Sequence, residues 1–321
     1  MSGPSRRAPA DSSRLRRWAI LAVIAFLAVD AVLLLAALQP ASPTPGASAP
    51  RIVATAAPSP ISTPTPTPTP KLPIVPSTHV LAALDNGTAW RAITGACPAT
   101  AASPEYSLDG GATWVATDAA GTAEVTAVQS LRVLDGTTVE LVALDEVDCT
   151  PQFVKTFVGG ADYARYPPQL AAAWYVDPAD RSTVHGPAGN VAAPCASIVS
   201  LAAAKTADSS AAILCAEQTV FRTTDSGQTW SQSVSVAGAV NLGVTTMGYV
   251  IATVGLPECA GVQLIALSDE APSPTPTGCL QVTTPSETLP GNVAVSEADG
   301  TFWVWVGDEV KRSLDEGATW E

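Results

Sequence analysis

Apolar and polar positions divide the chain into stretches with different periods. From Trp18 to Leu38 it reads WAILAVIAFLAVDAVLLLAAL, 21 positions in which Asp30 is the single charge. As a helix, such a run is long enough to cross the hydrocarbon core of a bilayer, so residues 18–38 are expected to form a transmembrane helix. Residues 39–77 show no apolar period and contain APSP and the run TPTPTPTP from Thr63 to Pro70. That composition cannot bury a core and favours extended polyproline II, so it reads as a disordered Pro/Thr/Ser-rich stalk reaching up to roughly 100 Å. From residue 78 onward the pattern changes to short apolar or alternating runs such as HVLAALD, TVELVALD and TFWVWVG, parted by turns rich in Gly, Asp and Asn. Short runs of this kind mark β-strands, and the expectation is an all-β domain over residues 78–321.

Within that domain one eight-residue pattern recurs three times: Ser107-Leu-Asp109-Gly-Gly111-Ala-Thr113-Trp114, Thr223-Thr-Asp225-Ser-Gly227-Gln-Thr229-Trp230 and Ser313-Leu-Asp315-Glu-Gly317-Ala-Thr319-Trp320. Its chemistry is that of a tight hairpin. The carboxylates of Asp109, Asp225 and Asp315 accept hydrogen bonds from main-chain N–H groups across the turn, while Gly111, Gly227 and Gly317 allow positive φ. The three tryptophans then fold back on the flanking strands.

These residues resemble the Asp box, or BNR repeat, of sialidases and related β-propellers, a superfamily that includes photosystem assembly factors. The resemblance implies a propeller of four-stranded antiparallel blades, with the box joining the third and fourth strands on the face away from the ligand site. It implies a structural role for all three boxes. Strand-like runs can be grouped into blades at HVLAALD/TAWRAIT/PEYS/VATD, VTAVQSLRVL/TVELVALD/FVKTFVG, IVSLAAA/AAILCAE/TVFRTTD, NLGVTTM/YVIATVG/VQLIALS and NVAVSEA/TFWVWVG/EVKRS. The segment AAAWYVDPADRSTVHGPAG at 171–189 fits none of these, so the count stands at five to six, with seven open. By the same analogy, Lys71 to Thr78 is a candidate closing strand for the last blade.

Charge and cysteine usage place the domain. Five arginines precede residue 18 and no comparable cluster follows residue 38, which puts residues 1–17 in the cytoplasm as a basic tail and the β-domain outside. A cleaved signal peptide is the competing reading, against which the length of the apolar run argues. From residue 78 onward, 9 basic residues stand against 27 acidic ones, a net charge of −18 that repels nucleic acid. All six cysteines, Cys97, Cys149, Cys195, Cys215, Cys259 and Cys279, lie in this domain. An exported chain is expected to oxidise them, and nearest-neighbour pairing closes the shortest loops. Neither their spacing nor the distant His79 and His185 suggests zinc.

Sialidases use three arginines, a Tyr–Glu pair, an Asp and an Arg-Ile-Pro motif. This chain has no Arg-Ile-Pro, and Arg91 alone among its outer arginines is a candidate for the propeller's centre. Tyr106, Tyr163, Tyr166, Tyr175 and Tyr249 have no suggestive glutamate neighbour, and the acidic run at Asp145, Glu146 and Asp148 reads as a loop beside a cysteine. No nucleophile elbow, P-loop or dinucleotide fingerprint occurs. Asn86-Gly87-Thr88 matches a glycosylation sequon but equally makes a good turn. The sequence therefore points to a single-pass membrane protein without a catalytic residue, metal or cofactor, whose external propeller binds or scaffolds an envelope protein or glycan. A cell-surface sialidase-type glycoside hydrolase and an assembly factor are the rival readings.

Overall fold

The computed structural model describes residues 74–268 and 275–321. The tail, the anchor at 18–38 and the stalk as far as residue 73 lie outside the described residues. Among the described residues no helix is long and apolar enough to cross a membrane.

Six antiparallel sheets follow one another along the chain. Blade 1 holds β1 (His79–Ala83), β2 (Ala89–Ile93), β3 (Glu105–Ser107) and β4 (Val115–Ala116), followed by the short α1 (Ala119–Ala123). Blade 2 holds β5 (Val125–Val133), β6 (Val139–Asp145), β7 (Pro151–Thr156) and β8 (Ala164–Arg165). Blade 3 holds β9 (Tyr175–Val176), β10 (Thr183–Gly186) and β11 (Gly189–Ala192). Blade 4 holds β12 (Ile198–Ala203), β13 (Ala211–Cys215), β14 (Thr219–Thr223) and β15 (Val234–Ser235). Blade 5 holds β16 (Ala239–Thr245), β17 (Gly248–Leu256), β18 (Cys259–Ser268) and β19 (Thr275–Leu280). Blade 6 holds β20 (Val293–Ala298), β21 (Thr301–Val306) and β22 (Glu309–Ser313). The first strands β1, β5, β9, β12, β16 and β20 touch in that order and β20 returns to β1, so the sheets close into a six-bladed β-propeller.

Side-chain alternation explains the ring. Successive residues of a strand point to opposite faces of the sheet, and a blade inside a ring has a neighbour on both. In β21, Phe302, Val304 and Val306 enter the core shared with blade 5, while Trp303 and Trp305 enter the core shared with blade 1. In β13, Ala212 and Leu214 face blade 5, and Ala211, Ile213 and Cys215 face blade 3. Middle strands thus read as unbroken apolar runs because each serves two cores. The six apolar clusters of the domain correspond to its six inter-blade seams.

Polar bonds stitch the inner strands together. Ser296 Oγ accepts from Ala83 N at 2.9 Å, Asn241 Oδ1 accepts from Val295 N at 3.2 Å, and Thr94 Oγ1 donates to Val128 O at 2.6 Å. Buried Glu297 accepts from Thr246 N and Gly300 N, each at 2.7 Å, clamping blade 6 to a turn of blade 5. A Cβ at Gly243 would collide with the Val295 carbonyl, so only glycine lets these two blades approach so closely.

Blade 3 settles the grouping left open by the sequence: residues 171–189 supply most of a sixth blade. A 3₁₀ turn at Pro167–Ala172 leads into β9, which runs opposite to the other inner strands. Trp174 at its start donates Nε1–H to Asp208 O in the β12–β13 turn at 2.7 Å, and Ile198, at the far end of β12, donates its N–H to Arg181 O beyond β9 at 2.9 Å.

The described part of the proposed closing strand also behaves differently. Residues 74–78 do not pair with β22, whose outer neighbour is Glu321, bonded in both directions to Arg312 at 2.9 and 3.1 Å. Instead they cross the axis: Ser77 N donates to Val199 O of blade 4 at 3.3 Å, and Ser77 Oγ donates to Val293 O of blade 6 at 3.2 Å. Ile74 packs against the cores of seams 4/5 and 5/6.

The cysteines form Cys97–Cys149, Cys195–Cys215 and Cys259–Cys279, the nearest-neighbour pairing. The first links blades 1 and 2, the second ties the segment before β12 to the end of β13, and the third lies within blade 5.

Candidate functional site: the central channel

The inner edges of the blades enclose a channel of about 830 Å³. Small residues such as Ala82, Ser130, Ser200, Gly243 and Ser296 face it, which keeps its centre open while larger neighbours fill the seams. The axial segment at Ser77 lies at the end where β1 and β12 begin, and the inner hairpin turns surround the other end.

Charged groups at the hairpin end are largely neutralised. Glu140 accepts from Lys155 Nζ at 2.9 Å and lies 4.0 Å from Arg132 Nη1, which is also 3.7 Å from Asp208. Lys205 Nζ donates to the Glu297 carbonyl oxygen, and burial lowers the lysine's pKa although Glu297 and Asp299 oppose the shift.

Arg181 is different. Its Nε donates to Ile198 O at 2.7 Å and one Nη to Val199 O at 3.4 Å, both main-chain carbonyls. Among the described residues no carboxylate forms an ion pair with it, and burial lowers its pKa. A partly desolvated guanidinium on a cavity wall, with one Nη making no hydrogen bond to the described residues, is suited to receiving an oxyanion.

At the same end His79 is buried, its Nε2 lies 3.2 Å from Gly307 O, and its ring centroid lies 3.9 Å from that of Trp305. Burial is the main cause of its lowered pKa, with Arg91 adding to the shift.

Arg91, the sequence candidate for this place, is elsewhere. It pairs with Glu105 at 2.6 Å and lies over Trp114 and Trp305 at 4.2 and 4.8 Å, in seam 6/1. Only Arg132 and Arg181 among the arginines line the channel within the described residues, and a sialidase-type triad is not assembled there. The two were hidden for different reasons. β5, which carries Arg132, is interrupted by a register shift between Thr126 and Ser130, so alternation cannot be counted through it. Arg181 lies in the loop between β9 and β10, where no period exists.

The remaining candidates serve packing and turns. Tyr163 is buried with its hydroxyl 2.8 Å from Thr117 Oγ1, and burial pushes its pKa up to about 12. Tyr106 packs on Trp90, Tyr166 on Phe157, and Tyr175 stacks on His185. Asp145 accepts from Val147 N and Arg165 Nη1, at 2.8 and 2.7 Å, and Asp148 accepts from Thr150 N at 2.9 Å. Cys195, Cys215 and Glu217 lie close together, but both sulfurs are committed to the disulfide.

The three eight-residue repeats all lie at the β3–β4, β14–β15 and β22-terminal turns, away from the channel. In each, one Asp oxygen accepts from the Thr N–H at 2.8 to 2.9 Å and the other from the Thr hydroxyl at 2.6 to 2.7 Å. The Ser or Thr that opens the turn donates to the Asp and accepts from the Gly N–H, at 2.8 to 2.9 Å. Two consecutive residues have positive φ: Gly110–Gly111, Ser226–Gly227 and Glu316–Gly317. These hydrogen bonds lower the pKa of all three carboxylates, that of Asp109 to about 2. Trp114, Trp230 and Trp320 each pack into the seam with the preceding blade.

Fold and channel together define the class: a six-bladed, disulfide-braced β-propeller. No protein-family model and no curated protein matches the chain. Among solved structures it is similar to the lectin of Aleuria aurantia, described as a six-bladed β-propeller with a novel fucose recognition mode, at 10% identity, 78% of this chain, 96% of that chain and a TM-score of 0.51. YCF48 bound to D1 peptide matches at 18% identity over 78% of this chain and 69% of that one, with a TM-score of 0.28. PorZ, a surface component of the type-IX secretion system of Porphyromonas gingivalis, matches at 12% identity over 78% and 38%, with a TM-score of 0.39. The lectin likeness is one of fold.

Proposed function

We propose that the chain is a single-pass membrane protein, N-terminus in the cytoplasm, whose Asp-box propeller stands outside the membrane on the 39–77 stalk and binds an envelope protein or glycan without catalysis. The central channel is the ligand site, and Arg181 is the observation that carries this reading. A partly desolvated cation held, among the described residues, by two carbonyls is a costly arrangement that an acidic group on a ligand would relieve. The ligand class is thus narrowed to an envelope polypeptide or glycan bearing a carboxylate or similar anion. The three repeats act as Asp boxes of the structural kind, fixing the hairpins and seams around the site.

A photo-crosslinking residue in place of Ser130, on the channel wall, tests the assignment in intact cells. An adduct that disappears in Arg181→Gln supports it, and no adduct at Ser130 with a strong one at Val147 sinks it. The topology has a separate test, alkylation of intact cells with a membrane-impermeant maleimide. The six thiols should label only after reduction, whereas labelling of all six without reductant contradicts an external, oxidised domain.

A further inference from the structure

The inner and outer hairpin turns of the blades share one face of the propeller. Gly110 N donates to Gly87 O, Gly159 N to Thr137 O and Ser226 N to Ser209 O, each at 2.8 Å, so the two kinds of turn touch in blades 1, 2 and 4. Over four consecutive blades this face displays large apolar side chains: Met247 of blade 5, Leu314 of blade 6, Leu108 of blade 1, and Leu134, Phe157 and Val158 of blade 2. Their exposures run from 40% to 80%. Scattered exposed apolar residues are ordinary on any protein, but among the described residues six of the ten large exposed ones share this face, while Val75, Ile93 and Val147 lie at the other and Val115 lies on the outer strand β4.

The charge between them is predominantly negative: Lys155, over the Phe157 ring, and Arg312, against the blade 1 inner turn, are paired with Glu140 and Glu321. The described turns that carry these residues, with the inner turns of blades 1 and 6, contain seven carboxylates and no Lys or Arg. Asp109 and Asp135, whose pKa values are lowered to about 2 by turn hydrogen bonds, stay ionised in mild acid. Such a surface attracts cations over a Debye length and repels an anionic lipid leaflet.

We infer that the turn face of blades 5, 6, 1 and 2 is a docking surface for a polypeptide that presents Lys or Arg beside apolar side chains. It is separate from the central channel and needs no ligand there. Apolar anchors supply the buried contacts, and the carboxylates set orientation and association rate.

The full-length chain in zwitterionic nanodiscs can be titrated against a fluorescein-labelled peptide alternating Leu and Lys, with Leu–Glu and Ser–Lys peptides as controls. Only the Leu–Lys peptide should bind tightly, and the triple variant L108S/F157S/L314S should weaken it at least about tenfold. These positions are exposed, and an unchanged thermal transition confirms that the variant is folded. The pair D162N/E316Q leaves the turn-bonding aspartate of every box in place and should flatten the salt dependence. Arg181→Gln should leave peptide binding unchanged, which separates this surface from the channel site. Equal loss in Val147→Ser on the opposite face, full retention in the triple variant, or binding that Arg181→Gln removes would each overturn the inference.

Discussion

Seams 5/6 and 2/3 are built from the same repeating unit, yet they differ in depth. Between blades 5 and 6, thirteen buried apolar residues form one cluster, because β17, β18, β20 and β21 are all long enough to send several side chains into it. Between blades 2 and 3 only Val142, Phe153 and Tyr175 are buried in common, with Tyr166, Leu170 and Ala173 partly so. The cause is local. Blade 3 has strands of two to four residues, and the chain reaches them through a 3₁₀ turn rather than an inner strand of full length. A propeller can therefore close with one thin seam, while Arg181 lies one seam further round, bonded to Ile198 and Val199 of blade 4. The thin seam stands opposite the thick one in the ring, so local opening is expected to be concentrated there.

The largest test of this contrast is a cavity in the thick seam. Leu264→Ala, at a fully buried position, should cost about 2–5 kcal/mol in chemical denaturation. Val142→Ala in the thin seam should cost about 1–2 kcal/mol, and equal costs would refute the contrast. Next comes the covalent brace across blades 1 and 2. Replacing both Cys97 and Cys149 by serine should remove about 2–5 kcal/mol, read from the denaturation midpoint. Third, Glu297→Ala removes a buried carboxylate that two turn N–H groups donate to and should cost about 1–3 kcal/mol, with faster amide exchange at Thr246 and Gly300.

The smallest effect is that of pH, and it should arrive in two steps. His79 has a lowered folded pKa, so as pH falls below its unfolded value near 6.5 the unfolded chain takes up the proton first and stability declines. Asp109, Asp135, Asp225 and Asp315 also have lowered folded values. Their stabilisation is complete above the unfolded value near 4 and fades as pH drops toward the value of about 2 held by Asp109 and Asp135. In urea titrations at stepped pH, His79→Gln should erase the upper step alone. A single transition that His79→Gln leaves untouched would contradict it.

Most of the ring was legible in the residues. Gly111, Gly227 and Gly317 marked three turns, and five blades could be spelled out because their strands run long enough for apolar patterning to show. Blade 3 was not, since Tyr175–Val176 is a two-residue strand entered through Pro167 and Pro168, and no period survives at that length. The channel was harder still. Which side chains reach the axis depends on a register shift in β5 and on a loop brought inward by its neighbour, and neither leaves a trace in the order of residues. Trp114, Trp230 and Trp320, by contrast, advertise the seams because a large ring two or three bonds from a tight turn has only one apolar place to go.

The crossing at Ser77 has a mechanical corollary. Its main-chain N–H holds blade 4, its hydroxyl holds blade 6, and the next residues begin blade 1, so tension on the chain ahead of Ile74 is shared among three sectors at the hub. A load applied at a rim would strip one strand after another, like a zip. Applied at the hub, it must break several bonds at once in shear, and the same tug would bear on Val199, whose carbonyl also steadies Arg181. The entry segment at Ser77 and the candidate ligand site therefore share the Val199 carbonyl, and force on one is felt by the other.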